Sequence, residues 1–452
     1  MNGSINGIIG GGGMARPIGI DLFAGAGGLS LGFEQAGFDV VAAVEIDPVH
    51  AAVHKFNFPN CAVIPKSVVG LSGEDIREAA DIGDRQVDVV FGGAPCQGFS
   101  MIGQRALDDP RNSLVQEFVR IVHELRASYF VFENVKGLTV GRHRKFLEEV
   151  IEAFENCGEY RVVLKEQVLN AADYGVPQNR HRLFLMGARR GFDLPVYPER
   201  ISHAAGKTNC GSPEGPSCED ALSDLPDAEQ FSSLWNSDEV LTRKWGKPST
   251  YASELRCLTN DAWHFGHPRD WNPSLLTSSL LTQHTEISVR RFTKTEGGAV
   301  EPISRFFRLA AGGVSNTLRA GTDAARGAFT SPRPIHYKFA RCVTVREMAR
   351  LHGYPDWFRF HETKWHGARQ IGNSVPPPLA RAVAGRVIDA LGAERTRPSE
   401  SLALGDTALL RMDMSQAAAF WKIDNPIARR NQKSGARKRK QSEIEALISE
   451  AV

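Results

Sequence analysis

Two side chains capable of covalent chemistry stand at the ends of apolar runs. Cys96 lies in VDVVFGGAPCQGFS, where a strand-like run leads through Pro95 into a glycine-containing loop. Glu133 and Asn134 end a second run, SYFVFENV. A thiol at the carboxyl end of a central strand sits where α/β sheets place their ligands. A lone cysteine is ordinarily a small buried hydrophobe. A thiol with a carboxyl group delivered to the same sheet edge is a chemical unit instead. Its thiolate would be the nucleophile, which requires a lowered pKa or a proton acceptor. A carboxyl group whose pKa burial has raised can donate a proton.

A glycine-rich turn, DLFAGAGGLSLGF, joins another strand to a helix. Gly25, Gly27 and Gly28 can take left-handed backbone angles and let a ligand approach the main chain. The turn alone is equally a tight connection. Glu45 strengthens the ligand reading, because it ends the next strand, VAAVEID, where an acidic residue caps a ribose hydroxyl. Phe23 precedes the first glycine, and no GxGxxG is completed. An aromatic ring there packs on an adenine or sulfonium face, which favours S-adenosylmethionine over NAD. Asp75 in GEDIREA has two readings of equal weight: a contact to the adenine amino group, or an acid at a helix N-terminus.

The elements that must position these groups follow an α/β rhythm from residue 17 to about 190. Strands are expected at PIGIDLF, DVVAAVEI, VDVVFGG, SYFVFENV, YRVVLKEQVLN and RLFLMGA. Helices are expected over Leu29 to Ala36, Pro48 to Phe56, Ser113 to Leu125 and Arg142 to Phe154. Residues 1–16 read as a flexible leader, with initiation near Met14 as an alternative. From 191 to 335 the chain is rich in Pro, Gly, Ser and Thr, which marks a separate irregular domain. Residues 336–394 return to regularity with TVREMARLHGY, an amphipathic helix, and PPPLARAVAGRVIDAL, a helix with Pro in its first turn. Residues 395–452 read as a basic, disordered tail that contains the run ARRNQKSGARKRKQ.

Composition narrows the class. The 452 residues are 42% hydrophobic and 23% charged, with a net charge of +2 that by itself does not suggest nucleic acid. No apolar stretch of about 18 residues exists to span a membrane, and the N-terminus makes a poor signal peptide. Cys61, Cys96, Cys157, Cys210, Cys218, Cys257 and Cys342 include no CxxC pair, which argues for a reducing cytoplasm and against a zinc site. His264 and His267 in WHFGHP lack further ligands in metal spacing, so packing or a turn is preferred.

Taken in order, these motifs resemble the cytosine-5 DNA methyltransferases. GGAPCQGFS looks like their PCQ motif and FENV like their ENV motif. NAADYGVPQNRHRLFLMG resembles their QxRxR motif, and GARQIGNSVPPPLA their closing GNSVPP motif. DLFAGAGG, EIDP, RNSL and RCVTVREMARLHGYPD match in sequence order, so the likeness spans about 17–195 and 315–390. It implies a Rossmann-like S-adenosylmethionine-dependent domain, with a mostly parallel sheet flanked by helices. It also implies a smaller target-recognition domain at 191–335, inserted before the closing segment at 336–394.

The chemistry implied is specific. Carbon-5 of cytosine does not accept a methyl group directly, whereas thiolate attack at carbon-6 makes it enamine-like. Cys96 would attack, Glu133 would protonate N3, and Arg180 and Arg182 would hold Glu133 and the base's O2. A cytosine stacked in a duplex must first be flipped out, at a cost of roughly a few kcal/mol. The implied cofactor pocket comprises Phe23, Gly25, Ala26, Gly28, Glu45, Ile46, Asp75, Pro95, Asn373 and Val375. The loop after Cys96 would close over DNA with Ser100, Gln104 and Arg105, and Thr317 with Leu318 would lie near the target nucleotide. Arg243, Lys244, Lys247, Arg256, Arg269, Arg290, Arg291 and Lys294 are candidates for phosphate or guanine contacts, each with a solvated surface charge as the alternative.

Rival readings are a tRNA cytosine methyltransferase on the same scaffold, a silent DNA-binding regulator, and, more distantly, an NAD oxidoreductase. The long insert favours duplex DNA, and intact Cys96, Glu133, Arg180 and Arg182 favour catalysis. The expected setting is a bacterial cytoplasm, with a monomer acting on nucleoid DNA and away from membranes. A restriction endonuclease for the same site would be a companion rather than a bound partner.

Overall fold

The computed structural model describes residues 15–95, 113–139, 143–156, 158–164, 166–208, 211–321 and 332–424. Cys96, Ser100, Gln104, Arg105 and the basic run at 429–440 lie outside these residues.

Among the described residues the main sheet has eight strands, in the order β3-β2-β1-β4-β5-β8-β6, with β7 also paired to β8. β1 (Ile18–Leu22), β2 (Asp39–Val44), β3 (Ala62–Ile64), β4 (Val89–Gly92) and β5 (Tyr129–Val135) run parallel. The runs IGIDL and VVFG are buried throughout, as strands covered on both faces require. β8 (His181–Arg189) then pairs antiparallel with β5, β6 (Tyr160–Val162) and β7 (Gln167–Asn170). The sheet is therefore mixed. The run 160–170, expected as one strand, is two, because β6 and β7 pair with opposite ends of β8.

Alternate residues of the central strands feed two helical layers. Val90, Phe130 and Phe132 pack with α3 (Gly73–Ala80), α4 (Ser113–Glu124) and α5 (His143–Glu155). Val89, Phe91, Tyr129 and Val131 pack with α1 (Gly28–Ala36) and α11 (Pro377–Leu391). The closing segment thus supplies half of the second layer. α2 (Pro48–Asn57) begins with Asp47 accepting from the Val49 and His50 amides and with Pro48 in its first turn.

Short elements occupy the irregular stretch: α6 (Cys218–Leu222), α7 (Thr250–Leu255), α8 (Glu286–Lys294), and β9 (Val240–Leu241) paired with β11 (Leu275–Leu276). α9 (Val345–His352) and α10 (Lys364–Asn373) follow. α9 is the expected amphipathic helix, and all eight of its residues are buried. Its polar face turns inward and is paired. Arg346 donates to Thr277 Oγ1 at 2.6 Å, Glu347 accepts from Arg341 at 2.8 Å, and Arg350 bonds Asp356 at 2.6 Å and Asp224 at 3.1 Å.

The tail also needs correction. β12 (Leu402–Ala403) pairs with β10 (Arg269–Asp270), and α12 (Met414–Trp421) is capped by Asp413 and packs on α2. Apolar Leu409 and Leu410, buried against α2, order this stretch. No helix among the described residues is long and apolar enough to cross a membrane.

α1 and α11 meet at Gly32, where an added Cβ would lie 2.3 Å from Ala380 Cβ and 2.7 Å from Arg381 N. Gly32→Ala should therefore destabilise the chain by about 1–3 kcal/mol through overpacking. Urea unfolding checks this, and an unchanged midpoint would contradict the close helix approach.

Candidate active site

The strand order reverses between β1 and β4, and ligands of α/β sheets bind at such a switch point. Leu22 is in register with Gly92, and Gly92 with Phe132, so three strand ends emerge side by side. The glycine turn, the Gly93-Ala94-Pro95 segment and Glu133 are thereby brought together. They border a cavity of about 820 Å³.

Phe23, Gly25, Ala26, Gly28, Glu45, Ile46, Pro95, Glu133, Arg182, Asn373 and Val375 all line this cavity. Phe23 holds a φ of 65°, a sparsely populated conformation for a bulky residue, and Gly25 and Gly27 have φ of 56° and 103°. Gly28 has a different reason to lack a side chain: its Cβ would meet Val375 O at 2.5 Å and Tyr354 Oη at 2.7 Å. The closing segment consequently forms a wall directly against the glycine turn. Glu45 accepts from the Gly25 amide at 2.7 Å and the Asp47 amide at 2.8 Å, and burial raises its pKa. Ile46 is 60% exposed, an apolar side chain left uncovered on the cavity wall.

Asp75 is not among the cavity-lining residues. It accepts from the Ser72 hydroxyl at 2.6 Å and the Ser72 amide at 2.8 Å, completing the capping box of α3. The helix-terminus reading of this acid is the correct one.

Glu133 occupies the other side of the cavity. A Cβ on Gly93 would lie 2.5 Å from Glu133 Oε2, so glycine lets the carboxyl group rest against the β4 end. Asn134 Nδ2 donates to Ala94 O at 2.9 Å and pins the segment that leads into Pro95. Arg182 Nε pairs with Glu133 Oε1 at 2.8 Å. Burial pushes the Glu133 pKa above the usual carboxylate range, against the opposing charges of Arg182 and Arg180.

Arg180 departs from its expected role. It makes no ion pair with Glu133, and its fully buried guanidinium donates to Leu318 O at 3.0 Å, Gly372 O at 2.8 Å and Ser374 O at 2.6 Å. Desolvation lowers its pKa well below the ordinary arginine value. Thr317 and Leu318 are held to the same loop: Thr317 Oγ1 donates to Asn179 O at 2.7 Å, and the Leu318 amide to Gln178 Oε1 at 3.1 Å. Leu318 is buried and Thr317 exposed. Gln178, which the sequence reading passed over, also bonds His352 Nδ1 at 2.9 Å. His50, Arg369 and Gln370 were missed as cavity residues as well. The Asp47-Pro48 cap signature places the start of α2, and with it His50, beside Glu45.

Several candidate DNA contacts are already engaged. Arg269 is buried and paired with Glu34 at 2.7 Å, so it is unavailable to DNA. Arg256 stacks on Trp245 and Arg291 faces Glu301. Arg243, Lys244, Lys247, Arg290 and Lys294 remain exposed, with Lys244 over the Phe231 ring and Arg290 beside Glu286. His264 and His267 face the carboxylates of Glu254 and Asp39, and no metal-holding group occurs among the described residues.

These contacts separate the two arginines. Arg180→Met removes the donor to the buried Leu318 and Gly372 carbonyls, at about 1–3 kcal/mol each, and leaves Ser374 O with His352 Nε2 at 3.3 Å. It should therefore destabilise the fold more than Arg182→Met, as measured by urea unfolding; equal losses would contradict the carbonyl-clamp role.

The chain matches the family described as C-5 cytosine-specific DNA methylase over residues 18–389. It is 62% identical over 419 residues to Type II methyltransferase M.XorII of Xanthomonas oryzae pv. oryzae, covering 92% of this chain and 96% of that one. It is 34% identical to Type II methyltransferase M1.HphI of Haemophilus parahaemolyticus, covering 82% and 86% of the two chains. Among solved structures it resembles a protein described as a DNA modification methyltransferase encoded within an E. coli prophage. That match has a TM-score of 0.68 and 32% identity, and covers 83% of this chain and 100% of that one. With the fold, these likenesses make the chain a member of the C-5 cytosine-specific DNA methylases, a DNA cytosine-5-methyltransferase related to type II restriction-modification enzymes.

Proposed function

We propose that the chain transfers a methyl group from S-adenosylmethionine to carbon-5 of a flipped cytosine in double-stranded DNA, through a covalent bond from Cys96 to carbon-6. The observation that carries this reading is the buried Glu133 carboxyl group, held by Arg182 against Gly93, three residues before Cys96.

The cavity residues suit the cofactor. Glu45 offers a carboxylate beside the glycine turn, Phe23 and Ile46 offer apolar surface, and Asn373 and Val375 close the wall. S-adenosylmethionine supplies an electrophilic methyl group on its sulfonium. Cys96 adds as thiolate to carbon-6, which places negative charge on N3 and O2 of the ring. Glu133, whose raised pKa favours the protonated form, donates to N3, and Arg182 orients that carboxyl group. After carbon-5 is methylated its proton leaves to a base, with water or a side chain both open. The Cys96 to carbon-6 bond then breaks, the thiolate is released and N3 returns its proton to Glu133, with S-adenosylhomocysteine as the second product.

The domain boundaries at 190, 335 and 394 remain part of this reading, with 191–335 as the region that recognises the target. Arg243, Lys244, Lys247 and Lys294 are its exposed cations, Arg290 is exposed but paired with Glu286, and Thr317 with Leu318 is proposed to lie near the target nucleotide. Ser100, Gln104 and Arg105 follow Cys96 in the chain and are proposed to contact the DNA. The chain is taken to work as a monomer in the cytoplasm, with any endonuclease a separate protein.

Radiolabelled S-adenosylmethionine offered with plasmid DNA and with tRNA in parallel tests the substrate. Label should enter DNA, and label confined to tRNA would sink the proposal. Cys96→Ala should abolish transfer while leaving DNA binding, and DNA containing 5-fluorocytosine should trap an adduct on Cys96. Glu133→Gln should lower kcat by about 10²–10⁴. A proton donor acts only while protonated, so kcat should fall as pH rises through the raised Glu133 pKa. Arg182→Met removes a charge that lowers this pKa, so the residual rate should fall off at higher pH; an alkaline limb moved downward would contradict the role of Glu133.

A further inference from the structure

The stretch 400–421 lies beyond residue 389, where the family match ends, yet it touches three walls of the cofactor cavity from outside. Leu409 and Leu410 are buried against Ala26 of the glycine turn and against Ala52, Val53 and Phe56 of α2. The Gly405 amide donates to Phe56 O at 2.9 Å, and a Cβ there would lie 2.8 Å from Phe56 Cα. Trp421 Nε1 donates to Pro48 O at 3.1 Å, in the first turn of α2, next to Asp47 and His50 in the cavity wall. The Glu362 amide donates to Leu410 O at 3.0 Å, and His361 Nε2 to Met412 O at 3.1 Å. Those bonds hold the segment that enters α10, whose Arg369, Gln370 and Asn373 also line the cavity. At its other end β12 pairs with β10 of the insert.

We propose that 400–421 is a strap that sets the shape of the S-adenosylmethionine site, with Leu410 and Trp421 as positioning residues. Neither side chain lines the cavity. Each fixes an element that does, so that the ligand meets a wall already ordered and gives up less free energy to order it. The inference rests on the cavity being the S-adenosylmethionine site.

The test compares Leu410→Ala and Trp421→Phe with Phe154→Leu, a core change in the layer of α5 where Phe154 stacks on Phe130. KM for S-adenosylmethionine should rise about five- to tenfold in both strap variants, with kcat and KM for DNA within about twofold. Calorimetry with S-adenosylhomocysteine should show the same loss of affinity. Phe154→Leu should lower Tm without this selective change in KM. An unchanged KM in the strap variants overturns the proposal, as does an equal rise in Phe154→Leu, which would reduce the effect to general destabilisation. If the parent chain itself fails to bind S-adenosylhomocysteine, the cofactor reading falls and the strap's role falls with it. If the parent and the strap variants bind equally well, only the strap's role fails.

Discussion

A buried cation bonded only to main-chain carbonyls is the constraint on which the rest of the site depends. Arg180 carries its charge into a fully buried position without a carboxylate in bonding contact. Such burial is costly unless the donors are satisfied. Arg180 Nε has no partner among the described residues, and its two terminal nitrogens are satisfied by Leu318, Gly372 and Ser374, on two stretches that arrive from far along the chain. Their meeting point lies beside β8 and sets where the closing segment can run. Val375 is thereby pressed against Gly28, and the cavity acquires its final wall.

Arg182, two residues on, does a different job with the same chemical group. It lies at the cavity and pairs with Glu133, where burial and the arginine charge pull the carboxyl pKa in opposite directions. Burial prevails. The result is a carboxyl group fixed in place by Arg182 whose pKa is raised by burial, a combination that suits a proton donor. Gly93 and Asn134 complete the arrangement, one by leaving room for the carboxyl group and the other by holding the neighbouring main chain.

The sequence was most legible where local chemistry and strand period coincide. Continuous apolar runs located β1, β4 and β5, and residues at their ends, Phe23, Pro95 and Glu133, do border one cavity. Legibility failed where a partner is remote. Nothing near Arg180 indicates that it bonds carbonyls more than a hundred positions away, so a shared role with Arg182 was the natural expectation. The partners of the polar residues of α9, such as Thr277 and Asp224, lie within the insert, so nothing in the helix's own sequence indicates them. Asp75 was ambiguous in sequence because an acid three residues after a serine suits both a cap and a ligand. The stretch around Leu409 and Leu410 was lost beneath the composition of the basic tail that follows it.

Two statements stand above the rest: this site methylates cytosine in DNA, and Cys96 is the proposed attacking group. Bisulfite sequencing of DNA from cells expressing the parent chain or Cys96→Ala addresses both parts together. Cytosines within one recurring sequence should be protected from conversion in the parent's host, and none in the variant's. Protection in neither host, or in both, would contradict them.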